Sequence, residues 1–567
     1  MDTGQPRDLH NSIAGLFVER VEADLAQVAL WTRLPTADAS FEPSTWEQLL
    51  GDVWRMVAAL SQIGVKIASR VAHYAENSRH WIVVDLALHF LGAWHVPVSL
   101  HGSQELRDAI HNHCQPEFSI FLGEHNDSSP CWMIRQGDGD QSDSLVALDE
   151  LQANIPAALA DDMLADLRER WASLNPDDIC TLVYTSGTTG GPKGVMLTHR
   201  NLASNAIALV KTYEEKPADR RLSFLPFSHL FARTCDVYTW IARGSQLVLA
   251  ASRETILADC QAMQPTLING VPYFYQKVVE GLKQKGKLST PGALKTALGG
   301  EIRMVTSGGA PLPQFVIDAF EKQKLLLCEG YGLTETSPVI TVSTEDANRD
   351  GSVGKPLPGV EIRISETGEI ETRGPHVMKG YYQDDQATQQ IMDDGWLRTG
   401  DLGLIDPDGF LWITGRQKEV LVLSTGRNVS PAALELAIGS DPLVAQVIIC
   451  GEGQKCLSAL IVPAPDELRR RIQEAKLWVF SKHHALRHPT VRKWFRDVLD
   501  CQLANRADYE QVGPFTILGQ GFTPESGEMT TKLSLRRDAI LKNYQDIIHQ
   551  MYQGKEVSSS WWRSLLP

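Results

Sequence analysis

Between Tyr184 and Asn201 the chain reads YTSGTTGGPKGVMLTHRN, and its chemistry concentrates there. Thr185, Ser186, Gly187, Thr188, Thr189 and Gly190 are small or hydroxylated, and Lys193 follows Gly191 and Pro192. Glycines let backbone N–H groups approach an anion, hydroxyls donate further hydrogen bonds, and lysine adds a point charge. Ile179, Thr181, Leu182, Val183 and Tyr184 read as a buried strand feeding the loop, and a helix-like run begins near Asn201. That order of strand, loop, lysine and helix suits a phosphate group. It is not a Walker loop. Counting from Gly187, Pro192 stands where G-x-x-x-x-G-K-[ST] needs glycine, and Gly194 where it needs a hydroxyl.

As it stands, the string resembles the phosphate-binding signature of adenylate-forming (AMP-binding) enzymes. That superfamily holds acyl-CoA synthetases, firefly luciferase and peptide-synthetase adenylation domains. More strings follow in register. LPFSHLFART, from Leu225 to Thr234, is similar to a segment of long-chain fatty acyl-CoA synthetases, with Ala232 for the usual Glu. VTSGGAPL runs from Val305 to Leu312 and GYGLTET from Gly330 to Thr336. Thr399 to Gly403 reads TGDLG, and Gly415 to Glu419 reads GRQKE. Ser424 to Val429, STGRNV, resembles the family's SGGKNV loop. Phe522 to Arg536 resembles the string that holds the family's catalytic lysine, and Lys532 is its lysine. The longer TxTxK form, counted from Thr530, would put Ser534 there instead. Before residue 110 the likeness is weak, and Tyr273 stands where the family usually has Arg.

The resemblance implies roles residue by residue. His229 would sit beside the acyl group. Gly308, Gly309 and Ala310 would lie against adenine, and Tyr331 would stack on it beside Gly332. Thr334 would bind the α-phosphate, and Glu335, with Thr185, would hold Mg²⁺. Asp401, flanked by glycines, reads as a turn carboxylate able to take both ribose hydroxyls. Arg416 would contact ribose or phosphate, Gly426 would lie in a nucleotide loop, and Lys532 would face the developing phosphate charge.

A chain of 567 residues is too long for one hydrophobic core. The expected fold is α/β: a large N-terminal domain of α/β layers, residues 1–417, with a β-rich subdomain at about 340–417. The resemblance implies that a small mobile α/β domain, 418–567, follows. Trp46 to Leu60 and Asn77 to Ala93 read as helices, and Ser69 to Ala72 as a short strand. Trp81 to Leu100 is the most apolar window, but Asp85, His89 and His95 make it a buried helix rather than a membrane span. Residues 121 to 175 read as a surface connection.

A net charge of −15 argues against nucleic acid as a main partner. Nine cysteines without a CxxC pair fit a reducing, cytoplasmic setting, with no disulfide framework or zinc ribbon. His111, His113 and Cys114 lack a second ligand cluster and read as structural. Phe231, Tyr238, Trp240 and Tyr273 read as pocket aromatics or core. The tail WWRSLL reads as a peripheral membrane contact or as a segment packed on its own domain.

The function implied is two-step activation of a long-chain fatty acid by ATP and Mg²⁺. Acyl adenylate and pyrophosphate form first, then coenzyme A takes the acyl group and AMP leaves. Two alternatives stand beside it: a ligase loading an acyl-carrier protein, and a non-catalytic acyl or nucleotide sensor.

Overall fold

The computed structural model describes residues 11–34, 40–125, 129–137, 145–186, 191–252, 254–523, 526–529 and 535–553. Two large sheets dominate. The first has nine strands, with Leu326–Gly332, Met304–Gly308, Leu267–Gly270 and Arg220–Ser223 adjacent and parallel at its centre. The second has eight strands and carries Ile179–Ser186 next to Trp94–Val98. The strands Val339–Val342 and Lys355–Pro356 extend the first sheet, and a five-stranded antiparallel sheet begins at Glu361–Ile364. The chain ends in a smaller α/β unit around Val444–Cys450, Leu457–Pro463 and Val512–Ile517. The fold is mixed α/β.

One hydrophobic core joins the two large sheets. It holds Leu30 and Leu247 from the first, and Val71, Ile120 and Val183 from the second. Helices fill the space between. Trp46–Gln62 starts at Thr45, which forms a reciprocal cap with Gln48. Arg79–Leu91 starts at Ser78 and stops at Gly92, which takes φ 62°. This second helix is apolar on nearly every face because it is sandwiched. It bears out the buried reading of the Trp81 window. No helix among the described residues is long and apolar enough to cross a membrane.

Residues 121 to 175 are a correction. They hold the end of Phe118–His125, the strands Ser129–Gln136 and Leu145–Ala147, and the helix Ala160–Ser173. The strands close the edge of the eight-stranded sheet, and the helix fully buries only Leu167. An edge sheet and a surface helix need few apolar residues, so their periodicity is faint. His111 and His113 are structural: their Nδ1 atoms lie 2.8 Å from the hydroxyls of Tyr74 and Tyr184.

Candidate active site

The centre of the nine-stranded sheet explains why two distant strings meet. Met304–Gly308 and Leu326–Gly332 run parallel in register, so Gly308 stands opposite Gly330. Both glycine strings therefore leave the carboxyl edge of the sheet side by side, where open α/β sheets bind ligands. Gly308 is tightly placed: a Cβ there would lie 3.3 Å from the Gly330 carbonyl oxygen and from the Phe231 ring. Gly332 is stricter, because a Cβ would fall 1.8 Å from the Pro338 carbonyl oxygen. Gly309 takes φ 82° and has open space beside it.

A cavity opens at this edge, about 860 Å³ counted out to its mouth. His229, Phe231, Gly308, Gly309, Tyr331, Gly332 and Thr334 share its wall. Ser307 lines it too, and its buried Oγ has no hydrogen-bond partner in the protein. A buried orphan hydroxyl costs energy unless something else satisfies it, and this one faces the cavity, where a bound group could do so. Ser307 belongs to VTSGGAPL, where the glycines after it carry the more obvious signal. Thr306 of the same string also lines the cavity, as do Glu215, Arg221 and Asn269, which no local string signals. Arg221 pairs with Glu215. Burial pushes the nearby Asp236 carboxyl up to about 6, against the pull of Arg221.

Tyr331 is buried, and its hydroxyl donates to Asp401 Oδ2 at 2.8 Å. Arg416 Nε donates to Asp401 Oδ1 at 2.8 Å. Each carboxylate oxygen has two lone pairs, so Asp401 keeps one on each for a diol. Asp401 is not in a turn. It lies within the strand Trp396–Ile405, and Gly400 at φ 74° sits where the register against Glu369–Arg373 shifts between Arg398 and Leu402, which marks a bulge. A bulge and a turn use the same glycine signature.

The phosphate string also needs one more element. A strand, Pro192–Thr198, stands between the loop and the helix His199–Thr212, and pairs antiparallel with Ile179–Ser186. Thr185 faces Lys193 in that register. The Lys193 ammonium sits 4.7 Å from the centre of the Tyr381 ring. The Tyr381 hydroxyl in turn donates to the Glu335 carboxylate at 2.8 Å. Tyr381 thus ties the phosphate string to Glu335, a role that the string Lys379-Gly380-Tyr381-Tyr382 does not reveal. Glu335 retains acceptor capacity for a hard cation.

Behind His229 the helix takes a π-helical turn, Arg233–Tyr238. Such turns recur at functional sites. Arg233 is fully buried and pairs with Asp85, while its other amino group donates to Thr181 Oγ1 at 2.9 Å. His95 Nδ1 lies 2.7 Å from Asp85 Oδ1, and the Tyr238 hydroxyl donates to Oδ2 at 3.0 Å. Burial alone would raise the Asp85 carboxyl, but Arg233 and His95 outweigh it and hold it well below the usual range. The network fixes the turn that presents His229 and Phe231.

Not every expected residue joins the site. Ala310 is exposed and does not line the cavity. Gly426, at φ 77°, closes a turn between Leu421–Val422 and Asn428–Val429 in the C-terminal unit. Tyr238 and Trp240 are core: Trp240 stacks on Trp46 at 4.7 Å. Tyr273 is 46% exposed. Lys532, Gly187, Thr188, Thr189 and Gly190 lie outside the described residues, and for Ser186 only the backbone is described.

Comparison with known proteins decides the family. The sequence profile described as AMP-binding enzyme matches residues 26–382. The chain belongs to the AMP-binding enzyme family. The profile of the AMP-binding enzyme C-terminal domain matches residues 418–556. One curated relative is long-chain-fatty-acid–CoA ligase FadD15 of Mycobacterium bovis, 29% identical, covering 96% of this chain and 97% of that protein. Another is long-chain-fatty-acid–[acyl-carrier-protein] ligase AEE15, chloroplastic, of Arabidopsis thaliana. It is 28% identical over 90% of this chain and 82% of its own length. Among solved structures, ATP-bound MatB from Rhodopseudomonas palustris superposes with TM-score 0.72, covering 94% of this chain and 99% of that one, at 24% identity. That last likeness speaks to the fold of this AMP-binding enzyme.

Proposed function

We propose that this AMP-binding enzyme activates a long-chain fatty acid with ATP and passes the acyl group to coenzyme A. The observation that carries the reading is the shared cavity wall. His229 and Phe231, from the fatty-acid-type string, stand beside Gly308, Tyr331 and Thr334 of the adenylate-type strings. The name of the FadD15 relative supports the substrate class. A carboxylate is a poor electrophile at neutral pH, and AMP gives it a leaving group. Tyr331 and the Gly308–Gly309 turn would take adenine, Asp401 and Arg416 the ribose, and Thr334 with Lys193 the phosphates. Glu335, with Thr185 beside Lys193, would hold Mg²⁺, which supplies charge neutralisation when bound. Lys532 would add charge at the α-phosphate.

The test is acyl-dependent pyrophosphate release across palmitate, acetate, an aromatic acid and an amino acid, with AMP and thioester read together. Palmitate is expected to turn over fastest. Faster turnover of acetate or the amino acid would sink the reading. The acyl-carrier-protein ligase relative favours a second reading, in which a carrier thiol is the acceptor. Replacing coenzyme A by carrier protein in the same assay separates the two. AMP release with neither acceptor and no acid would point to neither.

Two half-reactions at one ATP site also call for a moving part. We place the division at residues 1–417, with the β-rich subdomain at about 340–417, against a turning unit at 418–567. Lys418 lies exposed in the single turn Gln417–Glu419, just after the strand Leu411–Arg416. Rotation there needs free φ, and proline would lock it near −65°. Lys418→Pro is expected to keep part of the adenylation rate and lose most thioester formation from supplied acyl adenylate. Single-turnover assays of each half-reaction check this, and wild-type rates in both would move the hinge elsewhere.

A further inference from the structure

Trp478 and Phe480 are 82% and 83% exposed, the highest values for large apolar side chains among the described residues. A single exposed aromatic is ordinary, but two on one short loop are a patch. The loop joins the helices Pro465–Glu474 and Lys482–Arg487. It is anchored on both sides. Leu477 packs on the C-terminal core and donates its N–H to the Ile472 carbonyl at 3.1 Å, and Ala485 and Leu486 are buried beyond it. The fold therefore holds the two rings outward.

The surrounding charge is equally one-sided. From 475 to 488 the chain carries Lys476, Lys482 and Arg487, with three histidines and no Asp or Glu, while further along Lys493 and Arg496 pair with Asp497 and Asp500. The whole chain has a net charge of −15, so this is a local reversal of sign. Lys476 and Lys482 flank the two aromatics and are exposed.

We propose that this face docks on an anionic lipid surface, with the Trp478 and Phe480 rings at headgroup depth and the basic run against lipid phosphates. The lipid surface fits better than an acidic protein. Rings at alternate positions of a short loop, flanked by lysines, need an interface that is apolar below and anionic above, not a shaped pocket. The inference goes beyond the proposed reaction and does not rest on it, because lipid binding is read without substrate.

The experiment is sedimentation of the full chain with vesicles of phosphatidylcholine alone or mixed with phosphatidylglycerol. Binding is expected only to the anionic vesicles, falling as salt rises. Trp478→Ala with Phe480→Ala should weaken it roughly tenfold or more, as expected for losing two inserted aromatics. Lys476→Glu with Lys482→Glu should weaken it further, since each cation at such a surface counts for about fivefold. Circular dichroism and lipid-free pyrophosphate release should stay at wild-type values in the aromatic variant. No preference for anionic vesicles in the wild type would overturn the proposal. So would unchanged binding by the aromatic variant, or slower lipid-free thioester formation in it, which would mark the loop as a face used within the protein. Capture of a purified acidic carrier protein without vesicle binding would overturn it in favour of a protein partner.

Discussion

Lys532→Ala is expected to lose ATP-dependent acyl activation by roughly 10²–10³, the cost typical of removing one preorganised charge partner. Phe522 is buried in the C-terminal unit, and Met529 pairs with Leu535 across the segment that contains Lys532. Asn543 donates to Glu528 at 3.0 Å and holds one flank in place. The flanks are therefore fixed, and the segment belongs to the unit proposed to turn about Lys418. An ammonium delivered to the α-phosphate matters while negative charge builds there. It has no such role once the adenylate exists. Thioester formation from supplied acyl adenylate should therefore stay near wild type. Rapid-mix measurement of pyrophosphate release and of thioester formation, separately, checks both halves. Equal loss in the two would make Lys532 structural, and loss in Ser534→Ala instead would move the assignment to the longer spacing.

Arg233→Met should destabilise the fold by about 3–5 kcal/mol, the usual cost of removing one partner of a buried ion pair. Methionine fills much of the space but leaves Asp85 charged among apolar neighbours. His95 and Tyr238 still reach it, and neither carries a full charge when His95 is neutral. Burial, the larger of the two causes that push the wild-type His95 imidazole down to about 4, remains in the variant and still opposes its charging. The sign with pH follows from Asp85. In the wild type its folded pKa lies below the unfolded value, so its contribution is full at neutral pH and is lost as pH falls below about 4. In the variant, burial without Arg233 raises the folded pKa, and stability falls as pH rises through that value. The gap between the two proteins should be widest near pH 7 and narrow on acidification. Urea unfolding at several pH values measures it. Adding Asp85→Asn to the variant should cost less than the sum of the single changes, because the stranded charge is gone. A constant gap across pH would mean that lost packing, not the stranded charge, sets the effect.

The local chemistry is written in short strings. YTSGTTGGPKG, GYGLTET and TGDLG are short strings whose glycines, hydroxyls and acids have meaning at fixed spacing, and they were legible without any fold. So were the two long helices at Trp46 and Arg79, because a helix announces itself by a period within a dozen residues. The bulge at Gly400 and the edge strands after Phe118 misread for the same reason in reverse. A bulge borrows the turn's glycine, and an edge strand buries too little to show a pattern. Which strings share a wall follows from how the sheets are ordered and packed. Parallel strand order sets Gly308 opposite Gly330, brings Tyr331 to Asp401 across 70 positions, and brings Arg233 to Asp85 across 148. Tyr381 reaches Glu335, and Ser307 and Arg221 line the cavity, by the same route. Those meetings depend on sheet order and on burial, which are properties of the whole packed chain. No spacing within a single segment encodes them.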